Sequence, residues 1–277
     1  MTTGALAVVS VTGAAVAAIQ AELGRRGAQC VKTRQTRPDY VLVCGHFPDA
    51  MSVHRVVIEL RRQGWAATAR PTDDDPQLMA WRNRTRPIDI GDGRLMVALP
   101  WADVDRNATP VVEIDPGGAF GAGAHPSSRL LLEALAARLQ GGERVLDVGC
   151  GSGVLAIAAV VLGATAAVGI DIEDAALTAT HANAVRNGVK PQVMASSVPL
   201  QTLSGTFDVI VANIGRDVLI DLAPDIERRL APGGWVGLSG ISPAQVSLVA
   251  AAFSALRVVA TPRLDDWAAI LGLPGDK

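Results

Sequence analysis

Glycines at positions 149, 151 and 153 follow the apolar run Val145-Leu146-Asp147-Val148 and open onto the Ala-rich stretch that begins Val154-Leu155-Ala156. Three alternating glycines between a strand and a helix let the backbone bend sharply and approach a bound nucleoside without a Cβ in the way. Asp171 lies 22 residues beyond Gly149, at the end of the next apolar run. A carboxylate there can accept hydrogen bonds from both hydroxyls of a ribose. A dinucleotide site uses G-x-G-x-x-G to bring helix amides onto a pyrophosphate, but here Val154 takes the place of the last glycine. The spacing therefore points to a nucleoside ligand without a diphosphate. A tight strand-to-helix turn in some other α/β enzyme would use the same glycines.

Two further segments carry polar groups that such a site could use. Phe207-Asp208-Val209-Ile210-Val211-Ala212-Asn213 is an apolar run ending in a carboxamide. In a doubly wound sheet ligands sit beyond the carboxyl ends of the strands, so Asn213 is placed to meet the ligand, although Asn also simply ends strands as a turn former. Asp115-Pro116-Gly117-Gly118-Ala119-Phe120-Gly121-Ala122-Gly123-Ala124-His125-Pro126-Ser127-Ser128 is glycine-rich and precedes an apolar helix over 130–139. Ser127 and Ser128 fit two roles, an N-cap of that helix or hydroxyls that, with the helix amides, hold a ligand carboxylate under a folded loop. His125 has no His or Cys at ligand spacing, which argues for a structural role rather than metal binding.

The elements that must position these groups follow from periodicity. Residues 1–71 read β-α-β-β-α-β, with strands over 5–11, 30–34, 40–44 and 65–70 and helices over 14–26 and 51–63, the order of a ferredoxin-like α+β unit. Residues 72–115 read as a structured linker, with a loop at 73–76, a short helix over 77–84 and a strand over 94–99. From 116 onward strands and helices alternate as in a parallel Rossmann-like α/β sheet, with strands at 144–148, 167–170, 192–194, 208–212, 235–239, 257–260 and 267–271. Leu230-Ala231-Pro232-Gly233-Gly234-Trp235 reads as a turn entering the fifth of these.

Composition narrows the function classes. Of 277 residues, 49% are hydrophobic and 19% charged, which supplies a large core and excludes a disordered chain. Cys30, Cys44 and Cys150 form no CxxC pair, so a disulfide scaffold or zinc site is not expected and a reducing compartment is. The first charged residue is Glu22, so no basic start of a secretory signal is present. The uncharged run 148–170 is broken by five glycines and does not read as a membrane span. A cytoplasmic monomer is expected. Residues 1–71 hold nine Lys/Arg against four acids, while the remainder is acidic. Arg25, Arg26, Arg61 and Arg62 could steer an acidic or RNA-bound partner such as ribosomal RNA, or merely solvate helix faces.

The G-x-G-x-G turn resembles that of class I S-adenosylmethionine-dependent methyltransferases, in which an acid placed like Asp147 is often directed toward the methionine end of the cofactor. A longer series of matches resembles the ribosomal protein L11 methyltransferase (PrmA-like) family. It comprises Trp81 with Pro87, Leu99-Pro100-Trp101, Asp115-Pro116-Gly117, Ala119-Phe120-Gly121, His125-Pro126, the run 147–159, Gly169-Ile170-Asp171-Ile172, Asn183-Ala184, Arg186-Asn187-Gly188, Val211-Ala212-Asn213-Ile214, Leu238-Ser239-Gly240-Ile241 and Asp266-Trp267.

The resemblance implies methyl transfer from S-adenosylmethionine to lysine or N-terminal amines of a large-subunit ribosomal protein, captured by the N-terminal unit. It implies cofactor binding at Ser128, Gly149, Asp171 and Asn213, to which the glycine turn adds Gly151 and Gly153. Asn213 and the Ile214 backbone would orient the acceptor nitrogen, with Phe120 and Trp267 as walls. Ala122 and Ala124 replace the threonines usual in the family's Gly-rich loop, and Gly215-Arg216-Asp217 replaces an apolar continuation. A different protein or a small molecule as acceptor, a nucleic-acid methyltransferase, and a non-catalytic binding module are the competing readings.

Overall fold

The computed structural model describes residues 5–37, 40–47, 50–71, 87–100, 102, 104–105, 108–115 and 123–275. The short helix expected over 77–84, Trp81, Trp101, Phe120 and Ala122 lie outside these. The chain divides into two compact units, Met1–Arg86 and Pro87–Lys277.

In the first unit β1 (Ala5–Thr12), α1 (Val16–Arg25), β2 (Cys30–Arg37), β3 (Tyr40–Phe47), α2 (Ala50–Arg62) and β4 (Ala66–Pro71) follow the expected βαββαβ order. The antiparallel sheet runs β2-β3-β1-β4. Alternation along the strands puts Ala7, Val9, Val11, Val43 and Ala67 on one face, where they bury Ile19 and Leu23 of α1 and Val53, Val57 and Leu60 of α2. β2 runs past the strand expected over 30–34 and continues to Arg37, which pairs with Tyr40. The basic helix faces are largely engaged within the unit. Arg25 and Arg26 both pair with Glu22, and these bonds hold its carboxyl below the usual range. Arg62 pairs with Glu59 at 3.7 Å, and Arg61 Nε donates to the Ala67 carbonyl at 2.7 Å.

The second unit begins with a small sheet, β5 (Ile88–Ile90), β6 (Leu95–Ala98) and β7 (Val111–Glu113), in that spatial order. Residues 87–115, which the sequence set apart as a linker, thus belong to the second compact unit, and Ile90, Leu95, Val97, Val112 and Ile114 join its core. After α3 (Pro126–Arg138) come β8 (Arg144–Val148), α4 (Val154–Val161), β9 (Ala166–Ile170), α5 (Asp174–Arg186), β10 (Val193–Ser196), β11 (Phe207–Asn213), α6 (Arg216–Arg229), β12 (Leu230–Ile241), α7 (Val246–Ala252), β13 (Leu256–Ala260), β14 (Arg263–Leu264) and β15 (Trp267–Pro274). They form one sheet ordered β10-β9-β8-β11-β12-β15-β13, with β14 paired to β15. The first five strands are parallel; β15 is antiparallel to β12.

Strand order reverses at the β8–β11 neighbours, which is where a doubly wound sheet opens a crevice. Val145 and Leu146 are buried on opposite faces of β8, one in each of two hydrophobic clusters that sandwich the sheet. The Pro-Gly-Gly segment proves to lie inside β12 rather than before it. Phe207 pairs with Leu230 and Val209 with Trp235, so the extra residues bulge. Gly234 tolerates this because any Cβ there would sit 2.5 Å from the Asp208 carbonyl oxygen.

Candidate active site

A cavity of about 480 Å³ opens where β8, β9 and β11 end, within the size range of small-molecule sites. Ser128, Asp147, Gly149, Gly151, Asp171 and Asn213 all line it. Six residues drawn from positions 128 to 213 are thus brought to one place by the switch point.

The glycine turn owes its shape to left-handed backbone. Gly149, Gly151 and Gly153 have φ of 75°, 54° and 80°. Gly149 lies directly under Ile214, whose Cγ2 would be 2.3 Å from any added Cβ. Gly153 lies apart from the other two. It caps α4 rather than lining the cavity, and its missing Cβ makes room for Thr180 of α5.

Asp171 follows β9. Its Oδ2 accepts from the Gly151 amide at 2.9 Å and its Oδ1 from the Glu173 amide at 3.0 Å. Both oxygens are therefore fixed in orientation, and each keeps lone-pair capacity for a further donor such as a ribose hydroxyl. Ile172, 97% exposed, and Val198 supply apolar rim beside that carboxylate. Val198 and Leu200 come from the segment after β10, where neither periodicity nor residue type marks them as site walls.

Asp147 is the most unusual group. It is buried, its Oδ2 accepts from the Ala156 amide at 3.1 Å, and its Oδ1 is without a hydrogen-bond partner. Burial, with a smaller push from the Asp171 charge, raises its pKa to about 7. A buried carboxylate oxygen on a cavity-lining residue with nothing to bond is costly unless a ligand supplies a donor or a positive charge. Cys150 also lines the cavity, but burial drives its thiol up to about 12, so it stays protonated and is no nucleophile.

Across the crevice, Asn213 Nδ2 donates to Ser128 Oγ at 2.9 Å, which ties the end of β11 to the first turn of α3. The capping question for that helix resolves against both serines. His125 is the N-cap, its Nδ1 meeting Ser127 Oγ at 2.7 Å and taking the Ser127 amide at 3.4 Å. The Ser128 amide bonds to the His125 carbonyl, so the amides of both serines are spent on His125 and are not free for a ligand carboxylate. Trp267 does not line the cavity; it packs edge-on against the His125 ring at 4.6 Å.

The donor set suits a sulfonium nucleoside. The Asp171 carboxylate, fixed on the turn by the Gly151 amide, keeps acceptor capacity for ribose hydroxyls, an unpaired buried carboxylate oxygen can meet an ammonium, and bare backbone at Gly149 and Gly151 leaves space where a side chain would intrude.

Comparison with known proteins agrees with this geometry. The family model described as Ribosomal protein L11 methyltransferase (PrmA) matches residues 3–273. A protein of Citrifermentans bemidjiense named ribosomal protein L11 methyltransferase is 39% identical over 231 residues, covering 81% of this chain and 71% of its own. One of the same name from Symbiobacterium thermophilum is 36% identical over 250 residues, covering 85% and 82%. The crystal structure of a ribosomal protein L11 methylase from Lactobacillus delbrueckii subsp. bulgaricus superposes with a TM-score of 0.64 at 30% identity, over 69% of this chain and all of that one. The sheet order, the cavity at the strand ends and these matches leave one assignment: the chain belongs to the ribosomal protein L11 methyltransferase (PrmA) family of class I, S-adenosylmethionine-dependent methyltransferases.

Proposed function

We propose that this chain methylates amine nitrogens, lysine side chains or an N-terminus, of ribosomal protein L11, and that its first unit captures that substrate. Support for the acceptor comes from the names of its relatives, and support for the chemistry from the Asn213–Ser128 bridge at the cavity. S-adenosylmethionine supplies the electrophilic methyl group, and the protein's task is alignment and exclusion of water.

In this reading Asp171 holds the ribose, Asp147 faces the donor's ammonium, and Ile172 and Val198 cover the base. A lysine must shed its proton before it attacks, since its free pKa is about 10.4. The titratable residues lining the cavity, among those described, are Asp147, Cys150, Asp171 and Glu173. Asp147 and Asp171 are committed to the donor, Cys150 is held as a thiol, and Glu173 is exposed on the ribose side, its amide bonded to Asp171. The acceptor is therefore deprotonated by desolvation as it enters, not by a dedicated base. Asn213 orients it: its Nδ2 is fixed on Ser128, so its Oδ1 remains to accept from the attacking nitrogen.

Asn213→Ala should then lower the transfer rate at saturating donor by about 100-fold, the loss of one oriented hydrogen bond plus the alignment it secures. The loss of affinity for the demethylated product, S-adenosylhomocysteine, should be the smaller effect, since Asp147 and Asp171 still hold it. Full rate in this variant sinks the orienting role. Incubating the chain and donor with purified ribosomal proteins, small amines and RNA, and reading mass shifts, tests the acceptor. A shift of 14 Da or its multiples confined to L11 is expected; modification of another class alone overturns the reading.

A further inference from the structure

The small sheet β5-β6-β7 leaves β7 as an edge strand, and the structure shows what covers that edge. Asn187 accepts from the Glu113 amide at 2.8 Å and donates to the Glu113 carbonyl at 2.7 Å. Asn183, one helical turn earlier on α5, accepts from the Asp115 amide at 3.0 Å and donates to the Asp115 carbonyl at 2.9 Å. The intervening residue points the other way, with the Ile114 amide bonded to Ala98 of β6. Four helical residues rise about 6.0 Å and two strand residues about 6.6 Å, so carboxamides at i and i+4 can stand in for a neighbouring strand. Each carboxamide presents one acceptor and one donor side by side, as a strand residue does. Arg186 adds a buried ion pair to Asp115 at 3.7 Å.

The two asparagines differ in one respect. Asn183 Nδ2 also donates to the Ser152 carbonyl at 2.9 Å, inside the glycine turn that lines the cavity. Asn187 makes its remaining bond to Asn183's own carbonyl at 2.8 Å and does not reach the turn. Ser152 is fully buried, so losing the Asn183 bond to its carbonyl is costly.

We infer that Asn183 is a positioning residue for the donor site, fixing the glycine turn at Ser152 to the backbone of Asp115, while Asn187 serves the fold alone. Ordering of the turn by the donor and ordering of residues 113–115 are then one event. This rests on the proposal that the donor occupies the glycine-turn cavity.

The test compares Asn183→Ala with Asn187→Ala in the full chain, at a temperature where circular dichroism shows both folded. The first should bind S-adenosylhomocysteine at least tenfold more weakly by calorimetry and raise the donor KM by a similar factor, with kcat at saturating donor within threefold of the parent. The second should lose comparable thermal stability yet bind within twofold of the parent. Equal effects of the two substitutions on binding, or no effect of the first, overturn the inference. Should Asn183→Ala not fold, hydrogen exchange on the unaltered protein decides: added S-adenosylhomocysteine must slow exchange at 113–115 together with 149–153, and protection of 149–153 alone overturns it. An unaltered protein that binds no S-adenosylhomocysteine at all would instead sink the reading of the cavity.

Discussion

Gly149→Ala is expected to weaken S-adenosylhomocysteine binding by 100-fold or more and to cost roughly 2–4 kcal/mol of stability, from left-handed backbone strain plus overpacking. The residue has φ of 75°, and its new methyl would fall 2.3 Å from Ile214 Cγ2. That carbon is on a β-branched side chain with little rotamer freedom. The backbone of Ile214 cannot retreat either. Its amide is bonded to the Ser239 carbonyl at 3.2 Å, and Gly240 packs so closely that a Cβ there would be 2.5 Å from the Ile214 oxygen. The turn itself must therefore move, and with it the cavity wall. Gly188→Ala separates strain from collision: φ is 72° but nothing lies within 4 Å of the added methyl. It should cost about 1 kcal/mol and leave binding intact, as thermal melts and calorimetry would read. Equal binding losses in the two variants would mean that the steric account of Gly149 is wrong.

That glycine was legible because only a sharp turn explains its spacing, and the same holds for other strand-end residues. Asp171 and Asn213 close apolar runs whose direction follows from the parallel sheet, so their place at the carboxyl edge could be read without coordinates. Groups fixed by tertiary context were not legible in this way. Gly153 belongs to the same motif, yet its free space is taken by Thr180. His125 displaced the better capping serines because Pro126 opens the helix a residue early, carrying both hydroxyls inside the first turn. β5 and β7 have three residues each, too few for a period to show. Pro232-Gly233-Gly234 carries the composition of a turn, and only pairing with β11 on one side makes it a bulge. The cavity walls Val198 and Leu200 come from a segment whose path no local preference dictates.

Asp147→Asn should separate stability from function in opposite directions. The carboxyl has a pKa of about 7 in the folded chain against 3.8 ordinarily, chiefly through burial. Between those values the unfolded chain is ionised while the folded one keeps the proton, so stability from this group is present below about pH 4 and is lost as pH rises through 7. At pH 8 the folded protein bears an unpaired buried charge worth up to about 4 kcal/mol. Asparagine keeps an acceptor for the Ala156 amide but leaves its own amide unsatisfied, returning part of that gain. The ligand-free variant should therefore be about 1–3 kcal/mol more stable than the parent at pH 8, and no more stable at pH 4. Binding should run the other way. An ammonium beside Oδ1 favours the ionised carboxylate, so donor uptake by the parent protein expels a proton and tightens by roughly tenfold from pH 5.5 to 7.5. The asparagine variant should bind at least tenfold more weakly at pH 7.5 and show no such slope. Calorimetry in buffers of different ionisation enthalpy counts the released proton directly. A parent protein that releases none near pH 6.5 would place the donor's ammonium elsewhere and leave the free Oδ1 of Asp147 without its partner.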